Sequence, residues 1–336
     1  MLNWEIKKIL KNKSSIVACI LMIISILIIS FMKPMLETQN EYWDEVKNEY
    51  VIDNRSEEEI ANEKLAIKKE MIKSTIEDPD SDETLKAISE EKLNLDNGNK
   101  YENIDFYKVF TYRIDFPVSI IIMMIIIIMI VSNLYTDEIE ANVSPIILSS
   151  KQKNKVLYSK LMIAILLPIL VYSLYLGVTW LITYIQYGAP VNGSLQAYRI
   201  IDVAMLSKAM TINQYALTKI ITTMFMFLGV SVVALIASFL SDNSIKSISL
   251  PIVFIGIGKV LTQFSFLPKE IRSLLGIGNY IDVINGTSKI SGIYNGQIEI
   301  LSKTVDISNL IISIYALIAI IGLLGCIYTI KKVLTK

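Results

Sequence analysis

The 336-residue chain contains no histidine. This removes the side chain most used for proton transfer near neutral pH and the commonest metal-binding nitrogen. There are two cysteines, Cys19 and Cys326, each inside an apolar run near opposite ends of the chain. Their spacing supports neither a disulfide framework nor a zinc motif, and both read as small hydrophobes. The 32 basic and 32 acidic residues balance, so no overall field draws in nucleic acid. No Gly-x-x-x-x-Gly-Lys-[Ser/Thr] phosphate loop occurs; Gly256-Ile257-Gly258-Lys259 is too short and sits in an apolar run. Neither His-Glu-x-x-His nor EF-hand spacing occurs, and no nucleophile stands beside a base. The chain therefore reads as no enzyme, with no catalytic residue, metal site or directly bound cofactor.

What the sequence has in abundance is apolar surface. Hydrophobic residues make up 53% of it, gathered into long runs. A helix crosses a bilayer core with about 20 apolar residues, and helix is the open-chain form that satisfies its own backbone in lipid. Six runs qualify: Ser15–Met32, Pro117–Tyr135, Leu161–Ile185, Ile220–Leu240, Ile248–Leu267 and Leu310–Ile330. The first resembles a signal peptide, but Lys33-Pro34 follows it without a small-residue cleavage site, so it reads as an uncleaved span. Lysines precede span 1 (Lys7, Lys8, Lys11, Lys13), separate spans 2 and 3 (Lys151, Lys153, Lys155, Lys160) and follow span 6 (Lys331, Lys332, Lys336). An even span count places all three clusters on one side, the cytoplasm, together with both termini.

The plan is an all-α membrane protein. It has an interfacial helix over 1–14, spans over 15–32, 117–135, 161–185, 220–240, 248–267 and 310–330, and a mainly helical extracellular domain over 33–116. Cytoplasmic connections cover 136–160 and 241–247, extracellular segments cover 186–219 and 268–309, and a cytoplasmic tail covers 331–336. Leu2, Ile6, Ile9 and Leu10 share a face opposite lysines, with Trp4 at the boundary, which suits an amphipathic helix in the interface. In the 33–116 domain acids outnumber bases by 22 to 12. Helical spacing runs through Trp43, Val46 and Tyr50, then through Ala61, Leu65, Lys68 and Ile72. Glu77–Asp82 marks a break, and Leu85–Leu93 a further helix ending at Asp96–Asn99. Aromatic Tyr101–Phe116 is either the core that staples these helices or a surface for substrate. Ile271–Ile284 is too short to span and reads as a re-entrant or interface-lying hairpin. Pro168 is expected to kink span 3, and Pro251 to stand at the start of span 5. Lys259 falls in the middle of span 5, where a charge costs on the order of 3 kcal/mol. It either lines a substrate route, pairs with a polar neighbour, or snorkels to the interface.

The connection from Tyr135 to Lys160 resembles the first cytoplasmic loop of ABC-2-type transporter permeases. Glu138 and Glu140 match its acidic part, Ile146, Ile147 and Leu148 its apolar helical turn, Lys153 its basic position, and Lys160 its closing lysine. Ala141-Asn142 stands where that family usually has Gly-Thr, and Ser149-Ser150 replaces its usual proline. The layout of an interfacial helix, six spans and a large domain between spans 1 and 2 is also similar to members of that family that export peptides, ions or antibiotics. The resemblance implies a permease subunit of an ATP-driven exporter in a bacterial plasma membrane. It further implies two copies of a separate ATPase subunit that binds ATP, a second permease copy or paralogue, and contact with membrane lipid and a peptide or hydrophobic substrate. A helix around Glu138–Leu148 is expected to dock on the ATPase through Val143, Ile146 and Ile147, with Glu138, Glu140 and Lys153 fixing orientation. A rival reading is a membrane sensor or immunity protein that binds a ligand through its acidic domain without transport. A membrane-embedded enzyme or an assembly scaffold is another.

Overall fold

A computed structural model describes residues 1–44, 48–96, 98, 100–201, 206–286, 290–300 and 303–334. Helix dominates. Six helices are long and apolar enough to cross a membrane, in the order expected from the six runs. They are α2 (Lys13–Phe31), α6 (Pro117–Val131) continued by α7 (Asn133–Glu140), α9 (Lys153–Tyr187), α10 (Ile212–Leu240), α11 (Ser244–Leu261) and α14 (Ile307–Tyr328). The Pro117–Glu140 and α10 spans form the centre, with 67% and 61% of their most apolar windows buried, while α2 and α11 stand at the edge with 22% and 11%. Their outer faces leave Phe31, Leu27, Ile252 and Val253 exposed. Apolar surface of that extent is unsuited to water and consistent with a multi-pass membrane protein.

Close helix approach depends on glycine at one contact. A Cβ on Gly322 of α14 would fall 2.3 Å from Val232 Cγ2 on α10. Pro168 leaves α9 a single 35-residue helix. Proline has no N–H for the carbonyl four residues back, yet Ala164 O is not stranded, because Ser231 Oγ of α10 donates to it at 2.6 Å. Ser231→Ala should therefore destabilise the protein by about 1–3 kcal/mol, the cost of a buried unmet carbonyl. In a Pro168→Ala background, where the helix meets its own carbonyl, the penalty should shrink towards zero. Thermal unfolding in detergent measures both; equal penalties would refute this pairing.

Span 5 departs from expectation. α11 starts four residues early and stops at Leu261, six before the apolar run ends. Gln263 N and Phe264 N turn back onto Val260 O and Leu261 O, leading the chain into α12 (Lys269–Gly278) and α13 (Tyr280–Ile284). Lys259 thus lies in the last turn of α11, not mid-span. Pro251 lies within α11, about two turns past its start, and not at the start of the span. α12 and α13 form helix–break–helix where a re-entrant or interfacial hairpin was expected. Asn279 ends the first and caps the second, accepting from Asp282 N at 3.0 Å. α13 packs against α11 and reaches α10 through Tyr280, whose Oη would lie 2.5 Å from a Cβ on Gly229, near the middle of α10.

The 33–116 insertion is not wholly helical. Helical spacing at Trp43 and Tyr50 gives way to an antiparallel hairpin, β1 (Glu41–Asp44) with β2 (Glu49–Ile52), in which Trp43 pairs with Tyr50. Asn48 takes a left-handed φ of 54° at the turn; Val46 lies outside the described residues. α3 (Glu57–Glu77) follows the expected spacing and buries Ala61, Leu65 and Ile72; a Ser56–Glu59 capping box opens it. Asp82 caps α4 (Glu83–Leu95). The aromatic return segment forms α5 (Asp105–Ile114), whose Phe106 and Phe110 are buried. They pack on the long helices, Phe106 edge-on to Trp180, so they serve the main core and leave α3 and α4 to a second cluster with Tyr198 and Leu206. A second hairpin, β3 (Gln297–Ile300) with β4 (Lys303–Asp306), precedes α14.

Buried ion pairs hold the insertion together and tie it to the α9–α10 connection. Glu37 accepts from Lys68 and Lys108, each at 2.6 Å. Asp96 accepts from Arg199 at 2.7 Å and from Tyr198. Burial alone would raise both carboxyls, but the cations beside Glu37, and Tyr198 and Arg199 beside Asp96, hold them below the ordinary range. Burial lowers Lys92 to about 8. The signs follow from linkage. Near pH 4 the unfolded chain binds protons that Glu37 and Asp96 refuse, so their contribution is present above about pH 4 and lost on acidification. Between pH 8 and about 10.4 the unfolded chain keeps a proton that Lys92 gives up, so stability rises with pH there. Thermal melts should show a lower midpoint below about pH 4 and a rise above pH 8 that Lys92→Met abolishes.

Candidate functional site

The insertion, the α9–α10 connection and the β3–β4 hairpin meet at one end of the bundle, where Tyr294 donates to Asp82 and Lys68 to Arg199 O. The opposite end carries α1 (Leu2–Lys11), α7, α8 (Ser144–Ser149) and the turn between α10 and α11. The residues singled out from sequence between Glu138 and Lys153 all lie there.

The span 2 helix does not run on smoothly into this connection. At Ser132 it breaks, and neighbours meet the freed groups. Ser238 Oγ of α10 accepts from Tyr135 N at 2.9 Å, and Ser247 Oγ of α11 donates to Ser132 O at 2.7 Å. The expected single helix over Glu138–Leu148 is two. Asn142 turns the chain with a left-handed φ of 57°, and Pro145 stands in the first turn of α8.

The acids and the apolar residues then have different fates. Glu138 is 4% exposed and faces inward. Its Oε1 accepts from Lys160 at 2.7 Å and from Lys8 at 2.9 Å. Lys160, fully buried, also reaches Glu5 Oε2 at 3.1 Å and Leu134 O at 2.7 Å. Asn12 adds a bond to Asp137 at 3.1 Å. Three carboxylates and two ammonium groups so bind α1, α7 and α9 into one unit. Glu140 is exposed, and its carboxylate accepts from Ser244 N at 2.6 Å, capping α11. α8 buries nothing: Ile146 is 68% exposed and Val143, its N-cap, 38%. Ile147 is half-buried and Lys153 opens α9. The arrangement is a short apolar turn presented outward, standing on a buried ionic platform.

Lys259 lies apart from this group. Its ammonium meets both oxygens of Asp282 on α13, at 2.8 and 2.7 Å, and Asn279 steadies Asp282 at 2.6 Å. This is the polar-partner arrangement, with the Lys259 side chain 44% exposed.

Sequence reasoning missed Glu5 and Asp282. A signal for Glu5 existed: it is the one acid before Glu37, and helical spacing puts it on the face of Leu2 and Ile9. The faces of α1 are accordingly three. Leu2, Glu5 and Ile9 meet the protein, Ile6 and Leu10 are exposed, and Trp4 lies with Lys7, Lys8 and Lys11.

Compared with known proteins, the chain matches no family model, no curated protein and no solved structure.

Proposed function

We propose that the chain is the permease subunit of an ATP-driven exporter, of the ABC-2 kind that its 135–160 segment resembles, seated in a bacterial plasma membrane with both termini in the cytoplasm. The observation that carries this reading is α8: Val143 and Ile146 are exposed beside a buried cluster that joins α1, α7 and α9. A partner ATPase with an apolar groove would cover that turn, bind the ATP and do the hydrolysis. A push on α8 would pass through α7, whose Glu138 bonds Lys160 of α9, into spans 2 and 3. Two such permeases, with two ATPases, would rock between inward- and outward-facing states. α1, with Ile6 and Leu10 outward and lysines alongside, would lie in the membrane interface. The insertion would face outside, and an amphipathic or antimicrobial peptide, or another hydrophobic molecule, is the substrate we propose.

The test is co-purification of the tagged chain with ATPases encoded beside it, comparing wild type with Ile146→Asp. A charge there should cut ATPase recovery at least tenfold, with the melting midpoint unchanged because the position is exposed. Retention of the ATPase by Ile146→Asp, or no ATPase with wild type, overturns the docking role of α8. Glu140→Ala is the poorer probe, since it also uncaps α11.

A further inference from the structure

α1 turns Glu5 and Lys8 towards the ionic platform and leaves other cations outside it. Lys7, Lys11 and Lys13 are exposed, and none takes part in an ion pair or hydrogen bond among the described residues. Lys8 is not counted with them, because its ammonium is 2.9 Å from Glu138. Little offsets their charge. Glu5 is the one carboxylate before Glu37, and it is buried and bonded to Lys160. Asp137 accepts from Asn12 and lines a separate cavity with Glu5. The outer side of α1 therefore carries net positive charge.

That side also has a shape and an apolar neighbour. Residues 4, 7, 8 and 11 fall on one side of the helix. Trp4, Lys7, Lys8, Lys11 and Asn12 line an open groove of about 510 Å³, within the range of small-ligand sites. Trp4 is exposed and offers an apolar ring with one N–H donor. The groove ends at Asn12, where extended backbone separates α1 from α2. Four residues on, an exposed stripe of α2 begins: Ile16, Ile20, Ile23 and Leu27, on one side of that helix. On a helix that crosses a bilayer, such a stripe meets hydrocarbon. A cationic groove with an aromatic wall at the end of an apolar stripe matches an anionic head on an apolar tail.

We propose that the α1 groove binds the phosphate of an anionic phospholipid between Lys7 and Lys11, with Trp4 at the level of the glycerol and the acyl chains along the α2 stripe. This rests on α1 lying in the membrane interface and on nothing that an ATPase does. Charge supplies the selectivity. Each lysine near an anionic surface gains roughly fivefold in binding, whereas a zwitterionic headgroup brings its own cation. The bound lipid also bears on the platform, since Glu5 and Lys8 of the same helix bond Lys160 and Glu138. A headgroup that holds α1 down steadies the contact of α1 with α7 and α9.

Tryptophan quenching by brominated lipid tests this on the full chain in phosphatidylcholine nanodiscs. A minor fraction of the lipid is replaced by dibrominated phosphatidylglycerol or, separately, by dibrominated phosphatidylcholine. The Trp4 signal is the difference between wild type and Trp4→Phe. Phosphatidylglycerol should quench Trp4 at least threefold more than phosphatidylcholine at the same mole fraction. Salt at about 1 M should narrow the difference, because the screening length falls to about 3 Å. Lys7→Gln combined with Lys11→Gln should bring phosphatidylglycerol down to the phosphatidylcholine level and leave phosphatidylcholine unchanged. Both positions are exposed, so the melting midpoint should not move; Lys11→Gln alone should shift the quenching in the same direction. Equal quenching by the two lipids in wild type, or indifference to the double variant, would overturn the lipid site and leave α1 in the interface. No Trp4 quenching by either lipid would overturn both. ATPase recovery enters none of these readouts, so the docking role of α8 stands or falls separately.

Discussion

Lys160→Met should lower stability by about 3–5 kcal/mol, enough to leave little folded protein, because it strips the cation from between two buried carboxylates. Glu138 keeps Lys8 at 2.9 Å, but Glu5, 1% exposed, loses its one cation among the described residues. The cost is the stranded charge more than the lost attraction. Glu5→Gln added to Lys160→Met should therefore recover much of the loss, although it restores no ion pair. Fluorescence-detected size exclusion and thermal unfolding in one detergent measure both variants. A stable single variant, or a double variant worse than the single, would show that the cluster is solvated and does not bind α1 to α9.

Arg199→Ala should cost about 2–4 kcal/mol, somewhat less than a wholly stranded charge, because Lys69 remains 3.3 Å from Asp96. The guanidinium also ties down Gly98 O and Lys100 O, at 2.8 and 3.1 Å. Its loss should free the end of α4 before it disturbs the long helices. Limited proteolysis ought then to cut near Lys100 at a temperature where wild type is resistant, while the cleaved fragments stay associated. Cleavage spread evenly over the chain would mean that insertion and bundle unfold together, and the clamp assignment would fall.

The six long helices were legible because length and apolar composition together mark them, and α3 and α4 because their buried positions keep helical spacing. The hairpin at 41–52 was not. Trp43 and Tyr50 are seven residues apart, which fits two turns of a helix, yet the same two residues are partners across an antiparallel hairpin. Asn48 takes the left-handed backbone there, and asparagine tolerates both outcomes. The end of span 5 was misplaced for another reason. Phe264, Phe266 and Leu267 keep the run apolar, and hydropathy does not say where a chain turns back. The ion cluster was half legible. Glu138 and Lys160 drew attention through a resemblance, but Glu5 meets Lys160 across 155 residues, and no local pattern matches charges at that distance. The same holds for Glu140, whose contact with Ser244 spans 104. Val143 and Ile146 emerged as exposed because α8 is cut off from α7 at Asn142.

The bond between Ser231 and Ala164 gives α9 the form of a lever. At about 1.5 Å per residue the helix is roughly 52 Å long, and it carries Lys160 near one end and Thr183 and Gln186, both bonded to Arg113, near the other. Ala164, where Ser231 of α10 takes hold, lies 11 residues from the first end and 23 from the second, so α10 grips the rod about a third of the way along. Tilting about that point by about 10° would swing the two tips in opposite senses by roughly 3 and 6 Å, as arms of about 17 and 35 Å require. A small displacement at the platform end of such a rod would reach the insertion end enlarged about twofold and reversed in direction.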